Sequence, residues 1–314
     1  MASVQPSDGA PAGTNGASQN LDKIPFGVVA ARLKEGKVIP FLGAGASLSG
    51  VPAGPSRLPA GTVLANELRE EIKPYPGDKA DALTKVAQFY VECVLGRGDL
   101  YELLRKRFYT EQQKADLNVT AQLIAEIENL RCVVTTNYDD HIEEAFRRRN
   151  RDFVVVTHEV GPGRAPYVYA TTTDGHRDRF LLDKFVLSPY AGRTIIYKMH
   201  GAVTPELDEH LDTVIITEDD YVNFLASPIP LPPRALTALF EKSRFLFLGY
   251  SLEDWNLRVI LRRLTEEGRD NQFKHWAVQK DPADLEKLFW LKRNVVLYEA
   301  SLEDFVVRLR QELK

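Results

Sequence analysis

The chain of 314 residues contains only two cysteines, Cys93 and Cys132, far apart and each in an apolar context. That count excludes a disulfide framework and a four-cysteine zinc site. No stretch approaches the roughly 20 consecutive apolar residues that a membrane helix needs, so no membrane partner is expected. Charge of neither sign dominates: the net charge of −4 offers no overall electrostatic case for nucleic acid and argues against it as a direct partner. The dense basic run "RRRNR" at 147–151 reads as a solvated helix end favoured by the helix dipole. The first residues lack the basic start and apolar centre of a signal peptide. Rich in Gly, Ala, Ser, Pro, Asn and Gln, residues 1–22 read as a disordered leader, and the protein as cytoplasmic.

Hydrophobic residues at 44% are enough for a sizeable core, and their spacing divides the chain. Phe26, Val29, Ala30 and Leu33 mark a helix that Gly36 ends. "KVIPFLG" follows as a short buried strand, with Pro40 suggesting a bulge or an exposed edge. After a Gly/Pro/Ser-rich loop, residues 62–130 read as a helical insert, with Asp81 and Asp99 as N-caps. Further strands are expected at 132–140, 153–157, 194–200, 244–250, 275–279 and 294–299, with amphipathic helices between them. The last helix lines up Leu302, Phe305, Val306 and Leu309 on one face. Continuous apolar strands alternating with helices predict an open, mostly parallel α/β sheet flanked by helices. In such sheets ligands bind outside the carboxyl ends of the strands.

Four expected strands end in unusual polar residues: "FLGAGAS", "VVTTNYDD", "IIYKMHG" and "FLFLGYS". In a parallel sheet all four ends gather on one edge. At Gly43, Ala44, Gly45, Ala46 and Ser47 the missing side chains let backbone N–H groups approach a pyrophosphate. The loop matches neither the common dinucleotide fingerprint, because Leu48 stands where a third glycine belongs, nor a Walker loop; a structural turn reads equally well. Asn137 at a strand end can hydrogen-bond ribose hydroxyls or hold a water, and Asp139 or Asp140 can orient a neighbour or cap the next helix. An imidazole ordinarily titrates near neutral pH, so that of His200 can take a proton from a hydroxyl or a water. The other histidines show no metal-ligand spacing, so no catalytic metal is expected.

Taken in order, "GAGAS", "TTNYDD", "KMHG" and "FLGYSLED" resemble the sirtuin-like superfamily of NAD-consuming enzymes over most of residues 25–300. The resemblance implies a Rossmann-like α/β domain spanning 23–314, with the helical insert after its first strand. It also implies that Gly43, Ala44, Gly45 and Ser47 hold phosphate. Asn137 and Asp139 then act near the reacting ribose beside Thr136, His200 is the base, and Gly249 and Ser251 bind the adenosine portion. Asp254 and Asn256 fall near the cofactor edge, with helix capping an equal reading for Asp254. Protein-deacylating members carry a four-cysteine zinc module after the His-Gly; this chain has no cysteine after 132, and no zinc is expected. The Asp-Phe-Arg element that usually follows the glycine loop is replaced by "GVPAGPSRLPAG", leaving Arg57 as a substitute, and Thr136 stands where the family has Gln.

These departures fall on the protein-substrate side, so the chain resembles the zinc-less branch that hydrolyses NAD, often in bacterial anti-phage defence. The expected reaction releases nicotinamide and ADP-ribose. Two alternatives stay open: a deacylase or ADP-ribosyltransferase, and a non-catalytic subunit that senses NAD or ADP-ribose. An unregulated NADase would deplete its own cell, and no second domain large enough to be a sensor is evident. A homo-oligomer, a separate sensor or activator protein, or both, are therefore expected.

Overall fold

Short apolar runs rich in Val, Ile and Phe are suited to strands buried on both faces, and here they line up in one sheet. The structure, a computed structural model, describes residues 21–54, 57–110, 116–159, 167–204, 214–226, 232–250 and 274–314. The strands are β1 (Val38–Leu42), β2 (Cys132–Thr135), β3 (Phe153–His158), β4 (Tyr167–Thr172), β5 (Arg177–Leu181), β6 (Thr194–Lys198), β7 (Arg244–Leu248), β8 (His275–Gln279) and β9 (Val295–Glu299). They form a nine-stranded sheet in the order β5-β4-β3-β6-β2-β1-β7-β8-β9. From β3 through β9 in that order every pair is parallel, while β4 runs antiparallel to both its neighbours.

The helices are α1 (Phe26–Lys34), α2 (Ala44–Leu48), α3 (Gly61–Glu71), α4 (Leu83–Cys93), α5 (Arg97–Phe108), α6 (Val119–Glu126), α7 (His141–Arg148), α8 (Glu218–Ala226), α9 (Arg234–Phe240), α10 (Asp284–Leu291) and α11 (Leu302–Leu313). One face of the sheet packs on a core with Leu33, Ile124, Phe146 and Phe305, from α1, α6, α7 and α11. The other face packs on a core with Phe224, Phe240 and Trp290, from α8, α9 and α10. Helices α3, α4 and α5 bury Leu64, Leu68, Val86, Tyr90, Leu100 and Leu104 in a third cluster, with Val203, Val214 and Ile216. Each such side chain taken fully out of water contributes about 1.5–3 kcal/mol.

Several local expectations change. Pro40 lies in a central strand, paired with Leu246 in an unbroken β1–β7 ladder. Even-numbered groups of β1 face β2, as Leu42 does in accepting from Thr136 N, and the β1–β2 ladder begins only at Phe41. The missing N–H of Pro40 therefore falls where no ladder bond is formed, and neither a bulge nor an edge is needed. Asp81 is not an N-cap: Ala82 precedes α4, and the Asp81 carboxylate instead accepts from Tyr75 Oη and Asp78 N, closing the preceding turn. Asp99 lies inside the first turn of α5, which starts earlier than expected after Gly96. The hairpin β4–β5 goes unread in the sequence, although "TTDGH" between its strands carries the Asp-Gly turn signal.

The basic run at 147–151 ends α7 as expected, with Arg147 and Arg148 paired to Glu144. Arg151 is more engaged. It donates to the carbonyls of Ala125, Ile127 and Glu128 at the end of α6 and lies over the Phe146 ring. The leader expected at 1–22 lies, up to residue 20, outside the described residues. No described helix is long and apolar enough to cross a membrane.

Candidate active site

The chain departs from β1 toward β2 on one side and later returns to place β7 on the other, so the switch point of the sheet is at β1. Strands β6, β2, β1 and β7 are adjacent and parallel, and their carboxyl ends bring together the four polar segments singled out in the sequence. Above them opens a cleft of about 260 Å³. Ala44, Ser47, Thr136, Asn137, Asp139, His200 and Gly249 line its floor, and Leu58, Leu64 and Phe108 cover it from the insert side.

The glycines are explained first by how closely two loops approach. Gly43 N donates to Leu248 O and Gly45 N to Gly249 O, continuing the β1–β7 pairing past the strand ends. A Cβ on Gly43 would lie 2.6 Å from Gly249 O, and one on Gly249 only 2.1 Å from Ala46 N. Gly249 also has φ of 73°, in the left-handed region that favours glycine. The turn is thus a structural interlock: Gly43 is buried, neither it nor Gly45 lines the cleft, and the turn reaches the cleft through Ala44, Ser47 and the facing Gly249.

Asn137 and Asp139 are fixed by a chain of hydrogen bonds. Asn137 Nδ2 donates to Gly43 O at 2.9 Å and to Ser47 Oγ at 2.7 Å. Ser47 Oγ in turn donates to Asp139 Oδ2 at 2.6 Å, and Asp139 Oδ1 accepts from His141 N at 3.1 Å. Both amide protons of Asn137 are committed to this framework, so its carbonyl oxygen is the group left for a ligand. The buried Asp139 acts through Ser47 and the first turn of α7. Thr136 Oγ1 meets Tyr250 Oη at 2.7 Å, and the Tyr250 ring packs edge-on against Phe41 beneath it. Asp140 occupies the N-cap position of α7 without a side-chain cap bond.

A buried ion pair lies beside this loop. Lys198, 1% exposed, donates to Glu143 Oε1 at 2.8 Å and also to the carbonyls of Asp139 and Tyr138. Burial pushes the Glu143 carboxyl up, against the pull of the Lys198 ammonium. The pair pins the backbone that carries Asn137 and Asp139.

His200, 4% exposed, follows β6 and lies edge-on against Tyr221 and Phe224 of α8. Its Nδ1 is 3.4 Å from Tyr221 Oη, and its buried Nε2 has no hydrogen-bond partner among the described residues. Burial pushes its pKa down to about 4, which keeps the ring neutral at pH 7. Among the described residues, the lining of the cleft contains one carboxylate, Asp139, and neither Lys nor Arg. Arg57 is outside the lining, although its neighbours Leu58 and Pro59 are in it. Ser251, Asp254 and Asn256 lie outside the described residues. Among the described residues no group of three or more His, Cys, Asp or Glu side chains is arranged to hold a metal.

Such an edge, with a glycine turn, a strand-end Asn and a buried His over one cleft of a doubly wound sheet, defines a Rossmann-like α/β domain with its cleft at the switch point. Residues 131–298 match the SIR2-like domain family, and the chain belongs to that family. It is 26% identical over 277 residues to a protein named NAD(+) hydrolase ThsA from Bacillus cereus (strain MSX-D12), covering 85% of this chain and 49% of the relative. It is 27% identical over 250 residues to a protein of the same name from Enterococcus faecium, covering 79% of this chain and 44% of the relative. It is 24% identical over 257 residues to Defense-associated sirtuin 2 of Bacillus subtilis, covering 81% of this chain and 22% of that protein. The chain thus spans about half or less of the length of these relatives.

Three features of the site escaped the sequence reading. Tyr221 and Tyr250 reach the cleft through tertiary packing that no local pattern announces. The Lys198–Glu143 pair joins two strand-to-helix corners far apart in the chain. A lysine inside the apolar run "TIIYKMHG" was the available signal, since buried lysines require partners.

Proposed function

We propose that the protein is an NAD glycohydrolase, and that in the cell it is a regulated effector of anti-phage defence. The observation that carries this reading is that Asn137 and His200, from two different strand ends, line one cleft beside the glycine turn. The names of the relatives support the same chemistry and setting.

In the proposed reaction the bond between ribose C1′ and the nicotinamide nitrogen breaks, and nicotinamide leaves as a neutral molecule with the electron pair. Water forms the new C–O bond and gives up a proton, so NAD⁺ and water yield nicotinamide, ADP-ribose and H⁺. Because the pyridinium is already a good leaving group, the protein's task is positioning and electrostatic support of an oxocarbenium-like transition state. The Asp139 carboxylate and the aromatic rings of Phe108, Tyr138, Tyr221 and Tyr250 in the lining suit a positively charged ring and a cationic transition state. Asn137 Oδ1 orients the ribose or the attacking water, and His200 takes the proton. Asp139 holds Ser47 and the loop in place. Gly43, Ala44, Gly45, Ser47, Thr136 and Gly249 bring the chain against the cofactor, with Ser251 and Asp254 assigned to its adenosine side. Control comes from self-assembly or from a separate sensor or activator protein, because unrestrained NAD hydrolysis would harm the host.

Chromatography of purified protein incubated with NAD tests this reading. The wild type should release nicotinamide and ADP-ribose, and His200→Ala and Asn137→Ala should each lower the rate by about a hundredfold or more. Unchanged release by His200→Ala would remove the base assignment. Saturable NAD binding with no turnover under any assembly condition would replace the enzyme by a sensor.

A further inference from the structure

Helix α8 sets two aromatic rings one turn apart, Tyr221 and Phe224, against the imidazole of His200. The ring centroids are 5.2 Å and 6.1 Å away, and both contacts are nearly perpendicular, at 87° and 84°. Only one of the two rings carries a polar group, and that hydroxyl is 3.4 Å from His200 Nδ1. His158 lies on the far side of the wall, stacked on Phe224 at 5.6 Å, and its charge would oppose one on His200. Two neutral rings therefore share this core, and the position of the single proton on His200 determines which nitrogen is basic.

We propose that Tyr221 is a positioning residue that accepts a hydrogen bond from Nδ1–H of His200 and so leaves Nε2 as the basic nitrogen. The argument is one of orphaned groups. If Tyr221 were the donor, the proton would move to Nε2, and a buried N–H would have no acceptor among the described residues. With the proton on Nδ1, the unfilled group is a lone pair, which costs less to leave waiting and which a substrate hydroxyl or water fills. Catalytic hydrogen bonds tighten when substrate arrives, and the 3.4 Å contact is within reach of doing so. The catalytic value of this arrangement rests on the reading of His200 as the base; the proton's location does not.

The full chain labelled with ¹⁵N-histidine, observed by long-range ¹H–¹⁵N correlation at pH 7, tests the assignment. The His200 signals are identified by their loss in His200→Ala. The wild type should give the Nδ1–H pattern. Tyr221→Phe keeps the ring and removes the acceptor, so it should move the pattern toward the Nε2–H form. Nicotinamide release should then fall about tenfold in kcat, with KM within twofold of wild type. An Nε2–H pattern in the wild type, or an unchanged pattern in Tyr221→Phe, would overturn the proposal. A Tyr221-dependent Nδ1–H pattern in a protein that never cleaves NAD would support the positioning role and overturn the hydrolase reading instead.

Discussion

Each polar side chain at these strand ends is held by a named neighbour, and the cost of removing it follows from what is left behind. Gly249→Ala forces a Cβ to within 2.1 Å of Ala46 N from a left-handed backbone, so the two loops must part. A loss of about 2 kcal/mol or more in urea unfolding is expected, together with weaker NAD binding. Gly98→Ala, in helix α5 with open space around it, should be neutral or stabilising by up to about 1 kcal/mol. Equal effects of the two substitutions would contradict the interlock. Lys198→Met leaves the Glu143 carboxylate buried without its cation and should cost about 3–5 kcal/mol. Adding Glu143→Leu should restore most of that loss, because a buried pair replaced by apolar groups of similar size is often neutral. Urea midpoints of the single and double variants provide the check.

Among the elements, α8 stands between His200 and the helical insert. Asp220, next to Tyr221, accepts from Ile216 N, Thr217 N and Arg97 Nη1, the last at 2.6 Å from helix α5. Gln88 of α4 reaches Asp219 in the same turn. Arg97→Ala should therefore loosen α8 by about 1–2 kcal/mol, seen as faster amide exchange in α8 while the sheet strands exchange as before. Protection unchanged in α8 would mean that the helix is held by its apolar face alone. The elements themselves were largely legible. Strands buried on both faces produce unbroken apolar runs, and helix α1 buries the four residues that its spacing selects. The hairpin β4–β5 was not, because an edge strand such as β5 alternates arginine and aspartate with few apolar residues. Its Asp-Gly turn was the only local sign. The candidate site was legible as strand-end residues. Its interior wiring was not, since Ser47 to Asp139, Lys198 to Glu143 and Tyr221 to His200 are contacts between distant segments.

For the molecule as a whole, burial holds three of the described histidines, His158, His200 and His275, in the neutral form. Burial pushes His158 down to about 3 and His200 and His275 to about 4, with the His200 charge adding to the first and Arg244 to the last. The unfolded chain takes up protons on these rings below about pH 6.5, whereas the folded chain refuses them until near pH 4. Their contribution to stability is therefore complete above pH 6.5 and is lost as the pH falls toward 4, by up to about 1.4 kcal/mol per unit for each ring. Urea midpoints should drop steadily from pH 7 to 5; a flat profile would mean that these rings are not held neutral.

The glycine interlock has a consequence for synthesis. The loop after β1 leaves the ribosome early, but the loop it closes against follows β7, after most of the sheet has been made. His200 and Asn137 both precede that closure. A nascent chain or a truncated fragment ending before Gly249 therefore holds the proposed base and the proposed orienting amide without a finished floor to the cleft. The proposed hydrolase activity would thus be withheld from incomplete copies by chain topology alone.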